Sequence, residues 1–166
     1  MQFTAPWSIT LKLITLFISL LLITIAILGI FNGPRNNVIW FPLMVIFPLL
    51  LVITLAFFTI RGYVIIGDKL LIRRIGWNST VNLAGLKTAV VMADAMDRSI
   101  RTFGNGGVFC FAGKFRNQKL GAYRAFATDP KRSVVLKWPH STVVVTPGQP
   151  DLFVAELQRQ GLILPN

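Results

Sequence analysis

The chain opens with two long runs that carry no charge. Leu13 to Phe31 is 19 residues without Asp, Glu, Lys, Arg or His, and Val38 to Ile60 is 23 more. Roughly 20 apolar residues, rising about 1.5 Å each, span a hydrocarbon core about 30 Å thick. The pattern predicts two membrane helices, over about 9–31 and 38–60, within a hairpin unit of residues 1–60. Asn32 to Asn37 are polar or turn-forming and join the two. A link that short forces an antiparallel hairpin with both chain ends on one side. The first run is longer than the 7–15 apolar residues of a signal peptide, and no small-x-small site follows it, so it reads as a permanent anchor.

Finer features fit helices in lipid. Phe31-Asn32-Gly33-Pro34 reads as a helix end, with Gly33 as a left-handed cap and Pro34 as a stop. Thr15, Ser19, Ala26, Gly29 and Gly33 fall roughly on one face and form a seam for close helix packing. Pro48 lies inside the second run, where it removes a hydrogen bond and predicts a kink. No Asp, Glu or Arg sits at mid-bilayer depth, which argues against a channel or transporter.

After Ile60 the pattern changes to short alternating runs. Tyr63–Ile66 and Lys69–Arg73 flank Gly67-Asp68 and read as a hairpin with a two-residue turn. Gly76–Asn82, Leu86–Met92, Gly107–Phe115 and Tyr123–Thr128 read as further strands, with Arg116-Asn117-Gln118-Lys119 as a connection. Ser133–Lys137 and Thr142–Val145 form a last hairpin around Pro139-His140. Asp151 then caps a helix with an apolar face of Leu152, Phe153, Val154, Ala155 and Leu157, ended by Gly161. The expected fold class is therefore an α+β membrane protein. A transmembrane hairpin precedes a domain, residues 61–166, of about seven strands in a small barrel or sandwich capped by a C-terminal helix.

Charge sets the orientation. The chain has 17 basic and 6 acidic residues, a net of +11. Residues 1–60 hold only Lys12 and Arg35; residues 61–166 hold the other 15 cations and all 6 acids, a net of +9. Arg61, Lys69, Arg73 and Arg74 follow the second run, against one cation in the turn. By the positive-inside rule the domain and both termini are cytoplasmic, in a multi-pass protein of a bacterial inner membrane. Trp77, Tyr63 and Trp40 are candidate interfacial anchors. The lone Cys110 excludes an internal disulfide and reads as a buried, inert strand thiol.

The order of elements resembles the pleckstrin-homology (PH) superfold. The residue pattern resembles the membrane-anchored bacterial PH-domain family. The segments that carry the resemblance are Ser99–Gly107, Gly113–Asn117, Leu120–Asp129, Val134–Leu136 and Thr142–Val145, within a span covering most of residues 61–160. The resemblance implies a fold and a location, and carries over no catalytic site.

Two basic groups are candidate binding surfaces. Gly104-Asn105-Gly106-Gly107, flanked by Arg98, Arg101, Lys114, Arg116 and Lys119, reads either as an inter-strand turn or as a glycine loop beside cations that cradles an anion. Arg61, Lys69, Arg73 and Arg74 are candidate contacts to anionic lipid headgroups, each gaining roughly 1 kcal/mol at such a surface. The cations are spread through strands and turns, not gathered on one helix or arm, which argues against nucleic acid. Asp94 and Asp97 read as a solvated loop, and His140 as a turn residue. No cluster has metal-ligand spacing, and no cofactor is expected. The expectation is a non-enzymatic module that binds or organises protein partners, anionic lipid or both at the membrane surface. The alternative is an accessory structural subunit of a larger membrane complex, with self-association or a protein partner in either case.

Overall fold

The computed structural model describes residues 1–34 and 37–164. Helix α1 runs from Ile9 to Asn32. Ser8 starts it: its backbone is extended, and its Oγ accepts from the Leu11 N–H at 3.2 Å. At 24 residues α1 is about 36 Å long, and it is the one helix among the described residues long and apolar enough to cross a membrane. Gly33 follows in extended geometry, φ −70° and ψ 138°, not in the left-handed form expected of a cap. Its smallness serves a contact instead. A Cβ there would lie 2.4 Å from Trp40 Nε1, which donates to the Gly29 carbonyl at 3.0 Å. The cation of the connecting turn, Arg35, lies outside the described residues.

The second apolar run does not form a second helix of spanning length. A π-helical turn, Pro42–Ile46, leads into α2, Phe47–Phe57, and the continuous helix ends at Phe58. Pro48 supplies the reason. Its ring presses on the carbonyl four residues back, at Met44, and it has no N–H to give. The wide turn, closed by the Phe47 N–H on the Pro42 carbonyl, takes up that strain. The expected kink is therefore a local change of helix type. α1 packs on this segment through the small-residue seam. Ala26 and Gly29 are buried there, and a Cβ on Gly29 would sit 2.8 Å from Met44 Cβ. Thr15 belongs to the seam by spacing, but it faces the domain.

Two sheets form the domain. The first is antiparallel, in the order β1 (Gln2–Thr4), β2 (Gly62–Ile66), β3 (Lys69–Arg73), β4 (Asn78–Asn82). The second contains β5 (Thr88–Val91), β6 (Ile100–Gly106), β7 (Phe111–Asn117), β8 (Gly121–Ala127), β9 (Val134–Lys137) and β10 (Thr142–Val145). Its order is β5-β9-β10-β8-β7-β6, with only β10 and β8 parallel. Helix α3 spans Pro150–Arg159. Pro150 opens it at N1, so Asp151 lies in its first turn rather than at the cap. Gly161, at φ 70°, ends it as expected.

Among the described residues ten strands replace the roughly seven expected, and two differences bear on function. Residues 2–4, ahead of α1, form β1 and pair with β2 in the register Phe3↔Tyr63. The terminal amine donates to the Ile65 carbonyl at 3.1 Å. The first residues of the chain thus complete the sheet that the chain resumes after α2. The expected strand Gly107–Phe115 divides at a turn over residues 107–110, with Cys110 in the turn, and Ile100–Gly106 is a strand where a glycine loop was one reading.

The core lies between the sheets, where period-two alternation aims Ile65, Leu70 and Ile72 at Phe126, Leu136, Val143 and Val145. Phe153 and Leu157 of α3 close it, and Phe153 meets Phe3 edge-to-face at 5.1 Å. Each such side chain contributes about 1.5–3 kcal/mol when fully buried. Tyr63 ties the sheets together from a fully buried position, so it is no interfacial anchor. Its hydroxyl donates to the Phe126 carbonyl at 2.6 Å and accepts from the Thr146 N–H at 3.2 Å. Burial pushes its phenol up to about 12.

Candidate functional site: a basic groove at the end of α2

Arg74 leaves β3 just before Gly76, whose φ of 81° turns the chain toward β4. Its side chain is not on the surface, where the sequence grouped it with the headgroup contacts. It is only 7% exposed and has no carboxylate partner among the described residues. Its Nε donates to Ser79 Oγ at 3.2 Å, and its guanidinium donates to the Phe58 carbonyl. The charge lies 4.8 Å from the Trp77 ring centroid, 5.7 Å from Phe58 and 5.8 Å from Phe126. Trp77 Nε1 donates to the Phe57 carbonyl at 3.2 Å. The last carbonyls of a helix lack intrahelical donors and carry partial negative charge. Arg74 and Trp77 satisfy two of them, and so fasten the end of α2 to the domain.

The other expected headgroup cations separate in space. Arg61 and Arg73 are exposed at the end of the β2–β3 hairpin nearest α2, where Arg73 pairs with Gly62 and its carbonyl accepts from the Arg61 N–H at 2.8 Å. Lys69 pairs with Ile66 at the opposite end, about 13 Å further along the strands. Sequence proximity to the helices did not become spatial proximity, because the hairpin runs away from them and back.

A cavity of about 660 Å³ opens between the end of α2 and the concave side of β6–β8. Leu55, Phe58, Trp77, Phe103, Val108 and Phe126 give it apolar walls, and Arg74, Arg101, Lys114 and Arg124 line it with charge. No acidic residue lines it among the described residues. Lys114 and Arg124 are direct cross-strand partners. Like charges placed opposite each other destabilise a sheet. Neither has a carboxylate partner among the described residues, and Arg124 instead lies 4.6 Å over the Phe126 ring.

The glycine segment shapes this groove without being a loop. Gly104 and Gly113 face each other across the β6–β7 ladder, at φ 106° and 142°. A Cβ on Gly113 would fall 2.1 Å from the Phe103 carbonyl oxygen, and one on Gly104 would fall 2.3 Å from that of Ala112. The two backbones approach too closely for any side chain. The turn beyond them is locked to α1. Phe109 adopts φ 63°, a costly value for a bulky residue, and its N–H donates to Thr15 Oγ1 at 2.9 Å. Its ring meets Trp7 edge-to-face at 6.1 Å. Cys110 is buried in this turn and donates to the Phe58 carbonyl at 3.3 Å; desolvation pushes its thiol up, with Arg74 opposing.

The eight residues expected around the glycine segment therefore divide. Arg101, Gly104 and Lys114 line the groove. Arg98, Arg116 and Lys119 line a second depression of about 880 Å³ at the other end of β6–β7, with Asp97 among them. Lys119 is paired there with Asp94, whose carboxyl it holds below the usual range. Gly106 packs against the Arg101 side chain, and Gly107 is buried against Phe111 and Ile14 of α1. Sequence reasoning missed Arg124 and the aromatic walls. The signal was present: the β7–β8 hairpin turns at residues 118–120, and that register sets Arg124 opposite Lys114. No group of three or more His, Cys, Asp or Glu residues able to hold a metal occurs among the described residues.

Two sheets packed face to face, a C-terminal helix across the core and a basic groove define a PH-like module. The family model for the bacterial PH domain matches residues 61–161, and the chain belongs to that family. PH domains are generally non-catalytic and commonly bind lipids or proteins. A search of curated proteins and a search of solved structures each found no match.

Proposed function

We propose that the protein is a membrane-anchored PH-like binding module, not an enzyme, that holds anionic lipid or a protein partner at the cytoplasmic face of a bacterial inner membrane. One observation carries this reading: strands β1 and β2 pair with each other from opposite sides of the helical segment. The chain leaves the sheet into α1 and re-enters it after α2, so both helix ends lie on the domain's side. A helix that crossed alone would part the two strands, and removal of α1 as a signal would remove β1 with it. The helices also expose Leu16, Phe17, Leu20 and Phe31, each 60% or more, a surface suited to lipid. In this reading α1 crosses the bilayer and the shorter α2 segment completes the return. The cations Arg61 and Arg73 then lie where anionic headgroups begin.

The test is alkaline carbonate extraction of the full chain from native membranes, followed by flotation of the purified chain with vesicles. Retention in the pellet and stronger headgroup shielding of Arg61 and Arg73 in vesicles containing phosphatidylglycerol support the reading. Release into the supernatant contradicts it.

A second reading, an accessory subunit of a larger assembly, is favoured by edge strand β6. Its outer backbone groups are unpaired in the sheet, and Ile100 and Phe103 on it are 73% and 74% exposed. Gentle solubilisation that brings down stoichiometric membrane partners supports this reading; a chain that runs alone does not.

A further inference from the structure

We propose that the groove at the end of α2 is a discrete site for one anionic phospholipid, its phosphate held by Lys114 and Arg124 and an acyl chain laid against Leu55, Phe58 and Trp77. This deepens the membrane-anchored reading and rests on it. The charge pattern calls for an anion. Among the described residues four cations and no acid line the groove, and two of the cations face each other across adjacent strands. Arg74 places a guanidinium in a nearly dry setting with carbonyl, hydroxyl, thiol and ring partners. A buried charge without a counter-ion is costly, and a phosphate beside it lowers that cost.

The apolar walls say what kind of anion. A free phosphate or a sugar phosphate has no use for Trp77, Phe103 and Phe126. An amphiphile uses both parts of the lining. The volume of about 660 Å³ falls in the range of small-molecule sites and suits a headgroup with the upper part of a chain rather than a whole lipid. The position agrees. Leu55 and Phe58 belong to the last turn of the apolar helical segment, so the groove opens at the level where that segment meets the domain. A lipid in the adjoining leaflet reaches the groove by lateral movement, with its chains still in the bilayer.

The experiment uses the full chain in dodecylmaltoside micelles, titrated with dioleoyl-phosphatidylglycerol or dioleoyl-phosphatidylcholine and read by native mass spectrometry. The expected result is a 1:1 complex with phosphatidylglycerol at about tenfold lower lipid concentration than with phosphatidylcholine. The double variant Lys114→Gln/Arg124→Gln loses that preference. The variant Ala112→Leu keeps every cation but fills the groove wall, and weakens both lipids. The double variant Lys87→Gln/Lys137→Gln, exposed and outside the groove lining, retains the wild-type preference. Unfolding curves show that each variant folds.

Equal binding of the two lipids, or a preference untouched by Lys114→Gln/Arg124→Gln, overturns the site. Displacement of phosphatidylglycerol by equimolar glycerol 3-phosphate overturns the lipid and makes the ligand a soluble phosphate. Carbonate extraction keeps the two levels apart. A chain that stays in the membrane but shows no lipid preference loses the site alone. A chain released from the membrane that still binds phosphatidylglycerol 1:1 loses the anchor alone.

Discussion

Replacing Tyr63 with Phe removes one oxygen and leaves the ring that fills the core. Two buried backbone groups then lose their partner, the Phe126 carbonyl and the Thr146 N–H. Each buried group left unsatisfied costs about 1–3 kcal/mol, so Tyr63→Phe is expected to destabilise the domain by about 2–6 kcal/mol. For a domain near 100 residues this lowers Tm by about 10 °C or more. The assay is thermal unfolding of the full chain in detergent by near-ultraviolet circular dichroism, at two scan rates. The pH dependence makes the test sharper. In the folded protein the phenol is pushed up to about 12, against 10.0 when unfolded. The folded state therefore holds this proton more tightly. The stability it confers is complete below pH 10 and is lost as pH rises from 10 to 12, by about 2.7 kcal/mol in all. The Phe variant has no such proton, so the Tm gap between the two proteins should narrow above pH 10. A gap of less than about 2 °C at neutral pH, or one that widens in alkali, refutes the reasoning.

Other substitutions probe the joints of the molecule. Gly113→Ala forces a Cβ onto the Phe103 carbonyl at a φ of 142°, and the expected result is a loss of about 2 kcal/mol or more in denaturant unfolding together with opening of the β6–β7 ladder. Thr15→Val removes the acceptor that holds the strained Phe109 N–H; hydrogen exchange at Phe109 should quicken at least tenfold while the β2–β3 amides are unchanged. Arg74→Met leaves the Phe58 carbonyl to the Cys110 thiol and should cost about 1.5–3 kcal/mol, with new proteolytic cleavage between Phe58 and Arg61. On the acid side, hydrogen bonds from Arg159 and then Gln160 hold the Glu156 carboxyl down to about 2, from 4.5. Its contribution is complete above pH 4.5 and lost as pH falls toward 2, so Glu156→Gln should flatten the Tm profile across that window.

The parts of the fold that alternation encodes were legible from residues alone. The hairpins around Gly67-Asp68 and Pro139-His140 and the terminal helix appear where the pattern puts them. The missing strands share a physical cause. β1 is three residues long, too short for a period, and it is defined by a partner 60 residues away. β6 is an edge strand, exposed on both faces and rich in glycine, so no apolar alternation marks it. The second helix was read from composition, which reports solvent preference but not the steric effect of Pro48 on Met44. The groove was half legible: Arg101, Gly104 and Lys114 were in the expected set. Arg124 was missed, and Arg74 was expected as a headgroup contact instead of a groove residue, because their roles depend on register and on where α2 ends. Charge alone gave no way to tell the buried Arg74 from the exposed Arg73 beside it.

The proposed reading puts both ends of the helical segment on the cytoplasmic side of the membrane. It is tested most directly by single cysteines in a Cys110→Ala background, placed at Asn37 in the connecting turn and at Gln118 in the domain, both exposed positions. A membrane-impermeant maleimide applied to spheroplasts should label the Asn37→Cys chain at once and the Gln118→Cys chain only after lysis. Labelling of Gln118→Cys before lysis, or of Asn37→Cys only after it, contradicts the account.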